Sequence, residues 1–192
     1  MERVVTFGEL ITFSAGTNMT RLGKDIPEDS IYTLEDFDRD LSSSTIECFG
    51  KNIISNKGKS IISSVGDVVI SMTRSQAAIV SLQNGGKYLN SNFVKCAFDR
   101  NKLSPWYFCY LFNESTIINQ QIKKLQQGTI GCINRLTINM IGSLEFELED
   151  ISQQKIIGEL YQNMLIRESL ALKHINDMRK YTLEIIKKVD NN

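Results

Sequence analysis

The chain has 192 residues, 42% of them apolar and 23% charged, with 22 basic and 22 acidic side chains and 2 prolines. A chain of this length can bury about 70% of its unfolded surface, and this composition excludes collagen-like, disordered and proline-rich classes. Met1 to Gly16 carries Glu2, Arg3 and Glu9 and no apolar h-region, and the longest apolar run, Trp106 to Phe112, is far too short to span a bilayer. A cytoplasmic chain without signal peptide or membrane contact is therefore expected. Cys48, Cys96, Cys109 and Cys132 are scattered, without a C-x-x-C pair, and read as buried thiols. The single histidine, His174, leaves no zinc-ligand spacing.

In chain order, Val4 to Phe13 predicts a short strand or an early helical turn, and Ser14-Ala15-Gly16-Thr17-Asn18 a turn. Residues 17–30 are polar and loop-like. Ser60–Ser64, Val68–Met72, Ala77–Leu82 and Tyr88–Phe98 are β-rich runs. Gly66-Asp67 and Asn84-Gly85-Gly86 separate three of them and predict hairpins. Ser104-Pro105 opens a helix to Phe112, because Ser suits the N-cap and Pro the first helical position. A second helix is expected from Ser115 to Gln127, ending at Gly128, and a strand region over Ile138–Leu148.

From Ile151 to Val189 there is no proline and one glycine, Gly158. A continuous helix of that length spans roughly 58 Å. Ile157, Leu160, Met164, Arg167, Ala171, His174, Met178, Tyr181 and Ile185 step by three and four, as a heptad seam with polar breaks at Arg167 and His174. Tyr161, Leu165, Leu172, Ile175, Ile186 and Val189 widen the apolar face. Two readings follow: packing on the chain's own domain, or, preferred here, a pairing helix that docks another helix. His174 fits a register-setting polar residue better than a catalytic one.

The zero net charge conceals blocks. Residues 1–50 carry 4 basic and 10 acidic side chains, residues 51–135 carry 11 and 3, and residues 136–192 carry 7 and 9. The basic middle is either a mixed solvated surface or a phosphate-facing one. The acidic start either neutralises part of that field or faces another partner. Chemistry is otherwise sparse. Gly58-Lys59-Ser60 ends like a P-loop, but Ile53 stands where the loop needs its first glycine. There is no G-x-G-x-x-G run, and a Ser-His-Asp triad would have to use His174 on the long helix. Asp36 with Asp38, and Glu147 with Glu149, alternate by two, which in a strand places each pair on one face. The chain reads as a binding protein with no cofactor.

Several segments together resemble a family. Val65-Gly66-Asp67-Val68-Val69-Ile70-Ser71, followed by Thr73-Arg74, is similar to a strand entry in specificity (S) subunits of Type I restriction-modification systems. Asn90-Ser91-Asn92-Phe93-Val94, then Asp99 and Leu103-Ser104-Pro105-Trp106-Tyr107-Phe108 with Tyr110-Leu111, resembles the family's strand and following helix. Gln127-Gly128-Thr129, Arg135-Leu136-Thr137 with Ile141 and Leu144, and Ile151-Ser152-Gln153-Gln154-Lys155-Ile156-Ile157 resemble the later turn, strand region and entry into the conserved long helix. Phe7-Gly8-Glu9-Leu10 and Ser14-Ala15-Gly16 fit its opening. Two departures stand out: Phe146–Asp150 has no proline before the helix, and Gln153 replaces the glutamate before the helix glutamine, Gln154.

The resemblance implies an α+β fold: a β-rich target recognition domain with short helices over residues 1–150, and one long C-terminal helix over 151–192. It implies a half-sized S subunit, or one half of a split one, that is not an enzyme. Such a chain recognises double-stranded DNA and directs partner methyltransferase (M) subunits and, through the complex, a restriction (R) subunit. Candidate DNA contacts are Lys57, Lys59, Thr73, Arg74, Lys87 and Arg135, with Arg74 the expected base reader, among polar Ser75, Gln76, Asn90, Asn92 and Asn134. Candidate partner-binding residues are Ile157, Leu160, Met164, Leu172, Ile175 and Met178, on a helix expected to form a homodimer with two inverted half-sites. The rival functions are an adaptor or decoy pairing through its helix, a free-standing DNA-binding dimer, and an enzyme whose site the sequence does not display.

Overall fold

A computed structural model describes residues 3–18, 27–42, 56–57, 60–127 and 136–190. The first segment splits three ways: strand β1 (Arg3–Thr6), one helical turn α1 (Phe7–Leu10) and strand β2 (Ile11–Ala15). Two short strands and a helix follow: β3 (Ile31–Tyr32), α2 (Leu34–Ser42) and, beyond it, β4 (Asn56–Lys57). Strands β5 (Ser60–Ile61), β6 (Val68–Ser71), β7 (Gln76–Ile79), β8 (Tyr88–Leu89) and β9 (Phe93–Phe98) lead into helices α3 (Pro105–Glu114) and α4 (Thr116–Gln127). The chain continues through α5 (Ile138–Gly142), β10 (Glu145–Leu148) and α6 (Ile151–Asp190).

A four-stranded antiparallel sheet, in the order β2-β9-β6-β7, is the centre of the molecule. Both of its faces are covered. Val68 and Ile70 of β6, with Ala77 and Ile79 of β7 and Val94 and Cys96 of β9, join Phe7, Phe108, Phe112 and Phe146 in one core. Phe7 lies edge-on to Phe108, with ring centroids 5.0 Å apart, and 4.7 Å from Phe146. On the other face Val69, Ala78 and Phe93 pack with Tyr32, Phe37 and Leu89. Burial on both sides explains why Val68-Val69-Ile70 is an unbroken apolar run and not an alternating one.

The second face is covered by α2, which strand-like reading of this acidic segment does not foresee. Leu34, Phe37 and Leu41 recur at helical spacing, and Phe37 is fully buried. Thr33 and Asp36 close a reciprocal cap: Thr33 N–H donates to Asp36 Oδ2 at 3.0 Å, and Asp36 N–H donates to Thr33 Oγ1 at 3.1 Å. Asp36 and Asp38 therefore lie on different sides of a helix, the first buried and the second half-exposed, and not on one strand face.

Other expectations are corrected similarly. Ile138–Leu148 is a helical turn followed by a strand, because Thr137 caps α5 by accepting the Met140 N–H. The glycine-rich turns do not close hairpins. Gly66-Asp67 leads into β6, whereas β5 pairs with β4, and β8 after Gly85-Gly86 pairs in parallel with β3. The β6–β7 hairpin turns at Thr73–Ser75, where Ser75 takes a left-handed conformation, φ 53°. The two helices expected around Ser104–Gln127 and the long terminal helix are all present, α6 running for 40 residues, roughly 60 Å. Cys96 and Cys109 are buried thiols, neither of them in a disulfide; Cys48 and Cys132 lie outside the described residues.

Among the described residues, only the first part of α6 packs on the rest of the chain. Gly158 is the close-approach point, since a Cβ there would lie 2.9 Å from Trp106 Cβ and 3.0 Å from Tyr107 N. Gln154, buried, fixes the entry: its Oε1 accepts the Ser104 N–H at 2.9 Å, and its Nε2 donates to Lys102 O at 3.1 Å and Glu149 O at 2.8 Å. Asp150 caps the helix, accepting from the Ser152 and Gln153 N–H groups and the Ser152 hydroxyl, which hold its carboxyl below the usual range. These contacts tie the helix down where no proline precedes it.

Candidate nucleic-acid interface

The β6–β7 turn is stiff. Ser75 N–H donates to Ser71 O at 2.8 Å, Arg74 N–H to Ser71 Oγ at 3.2 Å, and Met72 N–H to Asn92 O at 2.8 Å. Thr73 and Arg74 project from this turn with exposed side chains. The adjoining edge strand β7 is closed by Asn113, whose Oδ1 accepts the Ala77 N–H at 2.8 Å and whose Nδ2 donates to Ala77 O at 2.9 Å. Asn113 also donates to Tyr161 Oη at 3.1 Å. A chain of bonds thus runs from α6 through α3 to the strand carrying the hairpin.

Two basic candidates converge on α2. Arg74 Nη2 lies 2.7 Å from Asp38 Oδ2, and Lys87 Nζ lies 2.8 Å from Asp36 Oδ1. The acidic start of the chain therefore neutralises part of the basic block within the fold. Burial alone pushes Asp36 up, but the Lys87 ammonium and the Thr33 N–H and hydroxyl outweigh it and hold the carboxyl below the ordinary range. A depressed carboxylate contributes stability above the unfolded-state value, about 3.9, and loses it as pH falls through the folded value. Lys87→Met leaves burial to dominate and turns the shift upward, so the variant is expected to be less stable than the parent at pH 7, with a deficit that shrinks as pH falls toward 4, as read by urea denaturation at each pH. A deficit independent of pH would remove Asp36 from the acid response.

A second buried pair lies under the same face of the sheet. Lys95 Nζ is 2.6 Å from Asp67 Oδ2 and donates to Ile62 O at 3.1 Å, with both side chains almost wholly buried. Asp67 also accepts the Ser64 N–H at 2.6 Å, yet burial outweighs these partners and raises its carboxyl above the ordinary range. Arg100 donates to Gly66 O at 2.8 Å. The Gly-Asp element is therefore a buried anchor for β6. Asn90 is also structural, donating to Tyr32 O at 3.3 Å and accepting the Asn92 N–H at 2.9 Å.

Lys57 lies on β4, its backbone paired with Ser60. Lys59, Arg135 and Asn134 lie outside the described residues. The structure thus brings Arg74 and Lys87 to the α2 side of the sheet, with Thr73 exposed beside Arg74 in the β6–β7 turn. The roles of Asp36, Asp38 and Asn113 were not foreseen from sequence, which carried one usable signal for them: the Thr33-x-x-Asp36 cap with its helical apolar spacing.

The helix candidates divide. Ile157 is half-buried and lines a cavity of about 380 Å³ with Tyr107, Tyr110 and Ile117, while Tyr161 and Leu165 pack on the core. Leu160, Met164, Leu172, Ile175 and Met178 are exposed, as are Tyr181, Ile185, Ile186 and Val189. Among the described residues, no group of three or more His, Cys, Asp or Glu side chains is placed to hold a metal ion, and no helix is long and apolar enough to cross a membrane.

No family model and no curated protein matches this sequence. Solved structures do match. The HsdS subunit from Thermoanaerobacter tengcongensis superposes with a TM-score of 0.53 at 14% identity, over 90% of this chain and 39% of that one. A chain from a structure addressing complex assembly and conformational transition of the type I R-M system superposes with a TM-score of 0.51 at 19% identity, over 97% of this chain and 46% of that one. The chain has the fold of one half of an HsdS subunit. It spans less than half the length of either matched chain. The β-rich body followed by a long helix matches the HsdS fold.

Proposed function

We propose that this chain is a non-catalytic specificity protein that recognises duplex DNA through a domain over residues 1–150 and assembles through the helix over residues 151–192. The observation that carries this reading is the HsdS fold, with a stiff basic hairpin tip on the body and an apolar helix face left open beyond it. In this reading Arg74 reads a base edge, Thr73 lies beside it, and Lys57, Lys59, Lys87 and Arg135 take phosphates. M subunits and, through them, an R subunit are the enzymes it directs.

Arg74→Ala is expected to weaken duplex binding by about tenfold and to relax one position of the target, as read by fluorescence anisotropy against a panel of sequences. Unchanged affinity and preference would remove Arg74 from the interface. Loss of all salt-dependent DNA affinity in the parent chain, with partner binding retained, would favour the adaptor reading.

The exposed apolar face of α6 supports pairing with a second copy in an antiparallel helix pair. Met164 and Met178 lie on this face at 41% and 52% exposure, among exposed large apolar side chains from Leu160 to Val189, the kind of surface that suits an interaction site. Met164→Lys/Met178→Lys is expected to yield monomers in light scattering at concentrations where the parent chain is a dimer. A doubly substituted protein that stays dimeric would place the pairing face elsewhere.

A further inference from the structure

Four carboxylates point outward or inward from α2, and three have evident roles. Asp36 caps the helix and binds Lys87. Asp40 is buried, accepting from Tyr32 Oη at 2.6 Å, Asn84 Nδ2 at 2.8 Å and the Ser81 N–H at 3.2 Å. Glu35 pairs at 3.9 Å with Arg39 one turn on. The Asp38 carboxylate has a different partner, the Arg74 guanidinium, 36 residues away in sequence.

Both ends of that contact are held. Phe37, Asp36 and Asp40 anchor α2 from either side of Asp38, and Asn84 Nδ2 donates to Asp36 O at 3.2 Å. Arg74 leaves the bonded Ser71–Ser75 turn. Yet the side chains are 49% and 45% exposed. An ion pair so open to water does little to hold the structure together. Its main effect is on Arg74 itself. It neutralises the charge and occupies a donor that a phosphate or a guanine edge would use. Any anion that Arg74 accepts must also sit close to the displaced carboxylate.

We propose that Asp38 is a built-in competitor for Arg74, an autoinhibitory contact that duplex DNA must displace. The proposal rests on the DNA-recognition reading above. Binding through phosphates alone then gains less from Arg74, while a target offering good acceptors to the whole tip recovers it, so Asp38 lowers affinity for DNA in general more than for the target.

The test is anisotropy with a labelled mixed-sequence duplex at low salt, on the full chain and on Asp38→Asn, Arg74→Ala and the double variant, each checked for unchanged circular dichroism. Asp38→Asn is expected to tighten binding about five- to tenfold in the parent background and less than about twofold when Arg74 is absent. Weaker binding by Asp38→Asn, which would make Asp38 a positioning residue, overturns the proposal. So does an unchanged Kd, or equal tightening in both backgrounds. If the parent chain and all variants fail to bind duplex, the DNA reading falls and this proposal with it. Parent binding without an Asp38 effect removes this proposal alone.

Discussion

Replacing Lys95 with methionine is expected to cost about 3–5 kcal/mol of folding stability, because it strands a buried carboxylate. Asp67 is 1% exposed and has Lys95 Nζ as its charged partner at 2.6 Å. The Ser64 N–H and the charge of Arg100 remain, but neither replaces an ammonium at 2.6 Å. For a chain of this length the loss corresponds to a melting temperature lower by about 10 °C. The pH dependence gives the mechanism a signature. Burial already raises the Asp67 carboxyl above its ordinary value. A carboxyl whose folded value exceeds its unfolded value destabilises the fold increasingly as pH rises between the two. Losing Lys95 widens that window upward, so the defect of Lys95→Met should shrink as pH is lowered from 8 toward 5. Lys95→Met/Asp67→Asn should recover part of the loss at pH 7. A single variant as stable as the parent would mean that the pair does not anchor β6.

Gln154→Leu is expected to cost about 3 kcal/mol, by leaving the Ser104 N–H and the Lys102 and Glu149 carbonyls without their partner. The damage falls on the joint between α6 and the rest of the chain. Trp106, the only tryptophan, stands at that joint, its ring 6.5 Å from Tyr161. Its emission should shift to the red as the helix loosens, while the far-ultraviolet spectrum changes little because α6 remains helical. Unaltered emission and stability would show that Gly158 and Tyr161 suffice to seat the helix. The two losses should add, since Lys95 and Gln154 share no bonded partner.

Elements with strong local signals were legible. Ser104-Pro105 starts α3, and the absence of proline over 151–189 leaves α6 uninterrupted. Elements whose form depends on distant partners were not. Gly66-Asp67 looks like a hairpin turn, but its aspartate is drawn inward by Lys95, 28 positions on, and the true hairpin turn carries no glycine. The acidity of α2 obscured the Leu34, Phe37, Leu41 spacing. What makes that helix stable, Lys87 on Asp36 and Asn84 and Tyr32 on Asp40, lies on other elements. The basic block was visible as a count, while its partial neutralisation by α2 depends on the fold. The seam on α6 read as one face, but the structure splits it. Gln154, Gly158 and Tyr161 turn to the body, and the apolar side chains from Leu160 onward that do not follow Tyr161 and Leu165 remain open.

Gln154 is the case in which a sequence resemblance and a physical role meet. Gln154 occupies the position expected at the helix entry, and one amide supplies an acceptor and two donations to three backbone groups from separate segments. Neither glutamate nor leucine reproduces that set. The missing glutamate at Gln153 has no such consequence, because that side chain is exposed.

The most direct measurement is selection of duplexes bound by the full chain from a randomised library, followed by sequencing of the recovered pool. Sequence-specific recognition predicts one enriched short motif, with Arg74→Ala losing preference at a single position of it. A recovered pool indistinguishable from the input would contradict the account.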